Sequence, residues 1–126
     1  MPKKHYTSSR APKPVGPYSQ SVSASGLLFV SGQIPIDPKT GMLIEGGIEE
    51  QTEQVLKNIL AILSEVRMTA ENVVKTTVYL VDLADFARMN EVYARHLGQE
   101  PPARATVQVA ALPAGARIEI DAIAAF

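Results

Sequence analysis

The chain has 126 residues, 46% of them hydrophobic and 20% charged, with a formal net charge of −1. That length suits one domain, and the near-neutral charge gives no bulk electrostatic case for nucleic acid or an anionic membrane as partner. With no cysteine, disulfides, thiolate metal sites and a cysteine nucleophile are excluded.

Residues 1–17 carry Pro2, Pro12, Pro14 and Pro17 with few large apolar groups, and they read as an extended arm. Its basic start, Met1 to Tyr6, is followed by no hydrophobic stretch, so no secretory signal is expected and a cytoplasmic location fits. No apolar run approaches the ~18 residues of a membrane span. Leu27-Leu28-Phe29-Val30 reads as a buried strand ending in Ser31-Gly32, where glycine permits a bulge or a close backbone approach. Asp37-Pro38-Lys39-Thr40-Gly41 is the clearest turn.

A helix is expected over residues 48–66, with Val55, Leu56, Ile59, Ile62, Leu63 and Val66 on one face and Glu49, Glu50 and Glu53 in its first turns. Residues 73–81 are rich in β-branched side chains and read as a strand. Asp82 is the expected N-cap of a second helix over 83–97, whose stripe is Leu83, Phe86, Asn90, Tyr93 and Leu97, with Gly98 as its stop. Strands over 104–111 and 117–125 complete the order β-β-α-β-α-β-β, an α+β single domain over 1–126. Two helices cover only one face of such a sheet. In the last strand Ile118, Ile120, Ala122 and Ala124 alternate with Glu119, Asp121, Ile123 and Ala125, so both faces hold apolar groups. A half-apolar face without helices needs a cover, which favours a homo-oligomer.

Few residues offer chemistry. Arg104 opens a strand and presents a planar fork of donors suited to a carboxylate, although by position alone a surface arginine or an ion-pair partner is the stronger reading. Glu119 points away from Ile118 and Ile120; lining a cleft it would serve as general base, with burial raising its pKa and a nearby Arg104 lowering it. Taken in isolation it reads as a solvated strand residue. Ser31 can bond a ligand or its own turn, and neither His5 nor His96 is placed to activate it. Tyr18 either closes over a ligand or packs on the core. Asn90 shares a helical stripe, and a buried amide needs partners from backbone or ligand. Lys75 reads as an outward strand lysine. Two distant histidines make no metal site, and no phosphate-binding glycine motif is present.

Five segments then read together: Gly16-Pro17-Tyr18-Ser19-Gln20, Ser31-Gly32-Gln33-Ile34-Pro35, Val74-Lys75-Thr76-Thr77-Val78, Pro102-Ala103-Arg104 and Ile118-Glu119-Ile120. In order and wording they resemble the RidA (YjgF-type) family of imine and enamine deaminases, from about Ala11 to the C-terminus. The resemblance implies a chorismate-mutase-like fold, a homotrimer with sites in the clefts between subunits, and cofactor-free hydrolysis of 2-aminoacrylate and similar imino acids to 2-oxoacids and ammonia. It implies Arg104 as the clamp on the substrate carboxylate, Glu119 as the base toward water, and Ser31, Tyr18 and Asn90 as orienting groups. Thr106 stands where many members have cysteine; its backbone remains a candidate contact, and thiol chemistry there is excluded. Two further departures are Arg67, where the loop after the first helix usually has glycine, and a short segment between Tyr93 and Arg104. The rival readings are a non-catalytic binder of small carboxylates and, less favoured by charge and by the lack of an aromatic-basic stripe, an endoribonuclease or translation inhibitor.

Overall fold

In the computed structural model, residues 2–126 are described; Met1, the first residue of the expected arm, lies outside them. The strands are β1 (Lys4–Tyr6), β2 (Ser21–Ala24), β3 (Leu27–Gln33), β4 (Ile36–Asp37), β5 (Met42–Leu43), β6 (Val73–Leu80), β7 (Ala103–Gln108) and β8 (Ile118–Ala125). The helices are α1 (Ile48–Ser64) and α2 (Phe86–Leu97). Six strands form one sheet in the order β1-β2-β3-β8-β6-β7, and β4 and β5 form a separate hairpin. Among the described residues only β6 and β7 pair in parallel, through the α2 crossover. This is the α+β class expected, with five strands ahead of α1 where two were expected. The hairpin is closed by the expected turn, where the Gly41 N–H donates to the Asp37 carbonyl at 2.8 Å and the Lys39 N–H to Asp37 Oδ1 at 2.9 Å.

Both helices lie on one face of the sheet. Val55, Leu56, Ile59, Ile62 and Leu63 of α1 are buried against Leu28, Val78, Leu80, Ile118 and Ile120. Each such side chain contributes roughly 1.5–3 kcal/mol on leaving water. Val66, expected on that face, is only partly buried because α1 ends at Ser64. The Met68 N–H donates to the Leu63 carbonyl and the Arg67 N–H to the Ser64 carbonyl, a Schellman closure with Arg67 held at φ 60°.

The second helix corrects the expected stripe. Leu83 and Phe86 are exposed at 44% and 39%, and the buried face is Met89, Val92, Tyr93 and Leu97. Leu83 belongs to a 3₁₀ turn over Leu83–Asp85, and Asp82 caps that turn by accepting from the Ala84 N–H. The α-helix starts only at Phe86, so Leu83 stands outside it, while Tyr93 and Leu97 of the expected stripe are buried.

The other face of the sheet carries no helix. Phe29, Val74 and Val107 are exposed there at 43%, 46% and 41%. Lys75 is on this face too, its ammonium donating to Thr77 Oγ1 at 3.1 Å. The segment expected as an extended arm is anchored at two places. β1 pairs with β2, and the buried Gln20 amide bonds to Ser8, Ala11 and Pro12.

Candidate active site

The candidate residues fall into two groups, set by which face of the sheet each strand presents. The acidic group surrounds a cavity of about 440 Å³ lined by Val15, Tyr18, Ser31, Gly32, Ile36 and Glu119, among others. Glu119 is on the helix-free face of β8, opposite the buried Ile118 and Ile120. Its carboxylate lies over Gly32, where β3 slips register against β8 between Val30 and Gln33. A Cβ on Gly32 would fall 2.9 Å from Glu119 Cδ and 3.2 Å from Cγ, so this approach requires glycine.

Burial is the main cause that raises the Glu119 pKa above the ordinary carboxylate value, and the negative charge of Asp121 adds to it. Asp121 accepts from the Tyr79 hydroxyl at 3.0 Å, and that bond, followed by burial, pushes the Tyr79 phenol up as well. Arg104 has no part in the Glu119 shift. The expected opposition between burial and Arg104 therefore does not arise within one chain.

Ser31 is fixed from two sides. Its N–H donates to the Gln20 carbonyl at 2.9 Å and its hydroxyl to the Ser19 carbonyl at 2.6 Å. With its proton engaged, Oγ offers lone pairs toward the cavity, which suits an orienting acceptor rather than a nucleophile. Tyr18 is 50% exposed and lines the same cavity.

The cationic group is on the helix side of the edge strand β7. Arg104 Nη1 donates to Asn90 Oδ1 at 2.8 Å. The guanidinium lies 4.8 Å from the Tyr93 ring centre and 5.5 Å from that of Phe86, two cation–π contacts that hold its plane. Tyr93 is fixed in turn by a 2.7 Å hydrogen bond between its hydroxyl and Thr76 Oγ1. Arg104, Asn90, Tyr93, Gly98, Pro101 and Pro102 line an open groove, so the short segment after Tyr93 borders it. Thr106, two residues on and on the same face, has a buried Oγ1 with no hydrogen-bond partner among the described residues.

The fold thus brings Tyr18, Ser31 and Glu119 together, and brings Arg104 and Asn90 together. It does not join the two groups within one chain. Thr76 is the register partner of both Arg104 on β7 and Ala122 on β8, with its side chain on the helix side. Glu119 is three residues further along β8 and turned to the opposite face. Sequence reasoning missed Phe86 and Tyr93 as the seat of Arg104, and Asp121 as the second influence on Glu119. Gly32 carried its signal in the expected close backbone approach. Among the described residues, no group of three or more potential metal ligands occurs, and no helix is long and apolar enough to cross a membrane.

Comparison with known proteins follows the same lines. The family described as endoribonuclease L-PSP matches residues 8–126. A RutC family protein of Pyrococcus horikoshii is 56% identical over 90% of this chain and 90% of its own length. A Mus musculus protein named 2-iminobutanoate/2-iminopropanoate deaminase is 46% identical over 97% of this chain and 90% of its own length. Among solved structures, Escherichia coli TdcF with bound serine superposes with a TM-score of 0.92 at 38% identity, covering 98% of each chain.

Proposed function

We propose, from the premise that this chain belongs to the endoribonuclease L-PSP (YjgF/RidA) family, that it hydrolyses imine and enamine acids of the 2-aminoacrylate type to 2-oxoacids and ammonia. The observation that carries the reading is the Glu119 carboxylate, its pKa raised, over Gly32 in a largely apolar cavity beside Ser31 and Tyr18. A carboxylate there works against simple binding of a carboxylate ligand. It serves a base that must take a proton from water near neutral pH. The name of the 46% identical mouse protein and the serine held by the TdcF structure support a small amino- or imino-acid ligand.

The substrate carboxylate docks on Arg104, which spends one N–H on Asn90 and keeps four donors for a bidentate clamp. Glu119 takes a proton from water while the water oxygen bonds to C2 of the imine tautomer. The C=N π electrons move to nitrogen, which takes the proton back from Glu119 to give the carbinolamine. Glu119 then takes the carbinolamine hydroxyl proton and passes it to the same nitrogen as the C–N bond breaks, so ammonia leaves and the 2-oxoacid remains. Ser31 Oγ accepts from the water or from the imine N–H, and Tyr18 closes the cavity. Since C=N is electrophilic already, positioning supplies much of the rate.

Arg104 and Glu119 belong to opposite faces of one sheet, so a single small substrate meets both only across an interface between copies. We place the reaction in a homotrimer, the Arg104 groove of one protomer facing the Glu119 cavity of the next, with the exposed apolar side chains of the open face in the contact. A neighbour's guanidinium would then oppose the effect of burial on Glu119. The test uses a coupled assay in which a separate dehydratase generates 2-aminoacrylate from serine. Arg104→Ala and Glu119→Gln should each abolish acceleration. Mixing the two after co-refolding should restore about a quarter of wild-type activity, since one interface in four then pairs an intact Arg104 with an intact Glu119. Activity retained by a correctly assembled Arg104→Ala protein sinks the assignment, and absence of restoration sinks the shared site. No acceleration by the wild type, with small carboxylates still bound, would favour a ligand-binding role.

A further inference from the structure

Two buried carboxamides stand behind the walls of the Glu119 cavity. Gln20 is 2% exposed and Asn58 1%. The Gln20 side chain accepts from the Ser8 N–H at 2.6 Å and donates to the carbonyls of Pro12 at 2.8 Å, Ser8 at 3.1 Å and Ala11 at 3.4 Å. Its own main-chain carbonyl receives the Ser31 N–H. One residue therefore ties the N-terminal arm to the end of β3, where Ser31 and Gly32 face Glu119. Asn58 does the same for the opposite wall from α1. Its Nδ2 donates to the carbonyls of Ile36 at 3.0 Å and Ile34 at 3.4 Å, while its Oδ1 accepts from Gln54.

Besides Gln20, the arm is held by a hydrogen bond from Arg10 Nη2 to Ser64 Oγ and by Ala11 in the core. Between Thr7 and Val15 only Ser8 and Ala11 are buried, and Val15 is 90% exposed. Yet Pro12 and Val15 form one apolar wall of the cavity, and Ile34 and Ile36 form the other. Without the Gln20 amide, the Ser8 N–H and the Ala11 and Pro12 carbonyls lose their partner together, and the Ser8 carbonyl keeps only the Ala11 N–H at 3.4 Å.

We propose that Gln20 is a positioning residue that sets the shape of the pocket for the substrate's side chain, acting through Pro12 and Val15, and so governs discrimination between small and larger apolar imino acids. The proposal rests on the deaminase reading for its substrate. A side chain of three or four carbons would bury against Val15, Pro12, Ile34 and Ile36, whereas 2-aminoacrylate is too short to use that wall. Contacts of one or two methylenes in such a pocket change kcat/KM about tenfold to a hundredfold.

The experiment compares wild type and Gln20→Ala on 2-aminoacrylate and on the imine of leucine, freshly generated by an amino-acid oxidase. Amide exchange at Ser8 is followed in the same proteins. The expected result is faster exchange at Ser8 and a fall of about tenfold or more in the leucine-imine to aminoacrylate ratio of kcat/KM, entering through KM. Calorimetric binding of pyruvate and 4-methyl-2-oxopentanoate reads the same preference without turnover. A wild type that turns over neither imine, with a binding ratio that still falls in Gln20→Ala, refutes the deaminase reading and leaves Gln20 in its role. Faster exchange with both ratios unchanged, or equal losses on both substrates, overturns the proposal. Should Gln20→Ala fail to fold, Val15→Ser tests the wall itself: the ratio should fall in that variant, and a wild-type ratio there overturns the proposal equally.

Discussion

Gly32→Ala is the sharpest perturbation the structure offers. The backbone at this position is outside the left-handed region, so alanine fits the main chain without strain. A strand residue changed from glycine to alanine should even stabilise the fold, by about 0.5–1 kcal/mol. The new methyl, however, would occupy the place of the Glu119 carboxylate, 2.9 Å from Cδ and 3.2 Å from Cγ. Ordinary carbon contacts are about 3.5–4.0 Å, so the carboxylate must retreat by on the order of 1 Å. A misplacement of that size at a reacting group costs about 10²-fold, or ~2.7 kcal/mol of transition-state stabilisation. The coupled 2-aminoacrylate assay should therefore show kcat/KM down about a hundredfold while the thermal midpoint holds or rises. If the effect runs through Glu119, adding Gly32→Ala to Glu119→Gln should cost nothing beyond Glu119→Gln alone. Wild-type activity in folded Gly32→Ala, or full additivity in the double variant, would refute the placement of Glu119 as the base held over Gly32.

Two further outcomes concern stability. Arg67 closes the end of α1 at φ 60°, a conformation that costs a non-glycine residue about 1–2 kcal/mol. Arg67→Gly should raise the unfolding free energy by about 1 kcal/mol, seen as a higher denaturant midpoint with the slope unchanged, and an unchanged or lower midpoint would show that the side chain compensates. The pKa of Glu119 is raised in the folded protein. Both states hold the proton at low pH, and the folded state is penalised as pH climbs through the raised value, so this group's stabilisation is lost upward. Glu119→Gln should thus be more stable than wild type at neutral pH, with the difference closing as pH falls below the unfolded carboxylate value of about 4.3. A difference that widens toward acid pH would reverse the sign assigned to burial.

Much of the fold was legible because its elements are long and strongly patterned. The apolar periodicity of α1 and the β-branched run of β6 marked both elements to within a residue or two. The misread parts are those where local pattern and three-dimensional support diverge. Ser21–Ala24 carries one large apolar residue, yet it is a strand because β3 offers it a partner in register. Lys4–Tyr6 is a strand because β2 does so in turn, aided by the hydrogen bond between Tyr6 and Ser23. In the expected stripe Tyr93 and Leu97 are buried, whereas Leu83 fell outside it because it belongs to a 3₁₀ turn and not to the α-helix.

The candidate site was legible as a set of residues but not as a geometry, and β7 shows why. Alternation told which way Glu119 points, because Ile118 and Ile120 flank it. In Ala103-Arg104-Ala105-Thr106-Val107 the same logic fails. The apolar Ala103, Ala105 and Val107 are on the exposed face, while Arg104 and Thr106 turn toward the helix layer. A solvated edge strand would place them the other way round. The inversion makes physical sense if the open face of β7 is covered by another copy of the chain while its helix side remains a groove for an anion. One strand would then supply both an interface and half of a catalytic site, and the polarity of its two faces would follow from those two tasks rather than from the core of its own domain.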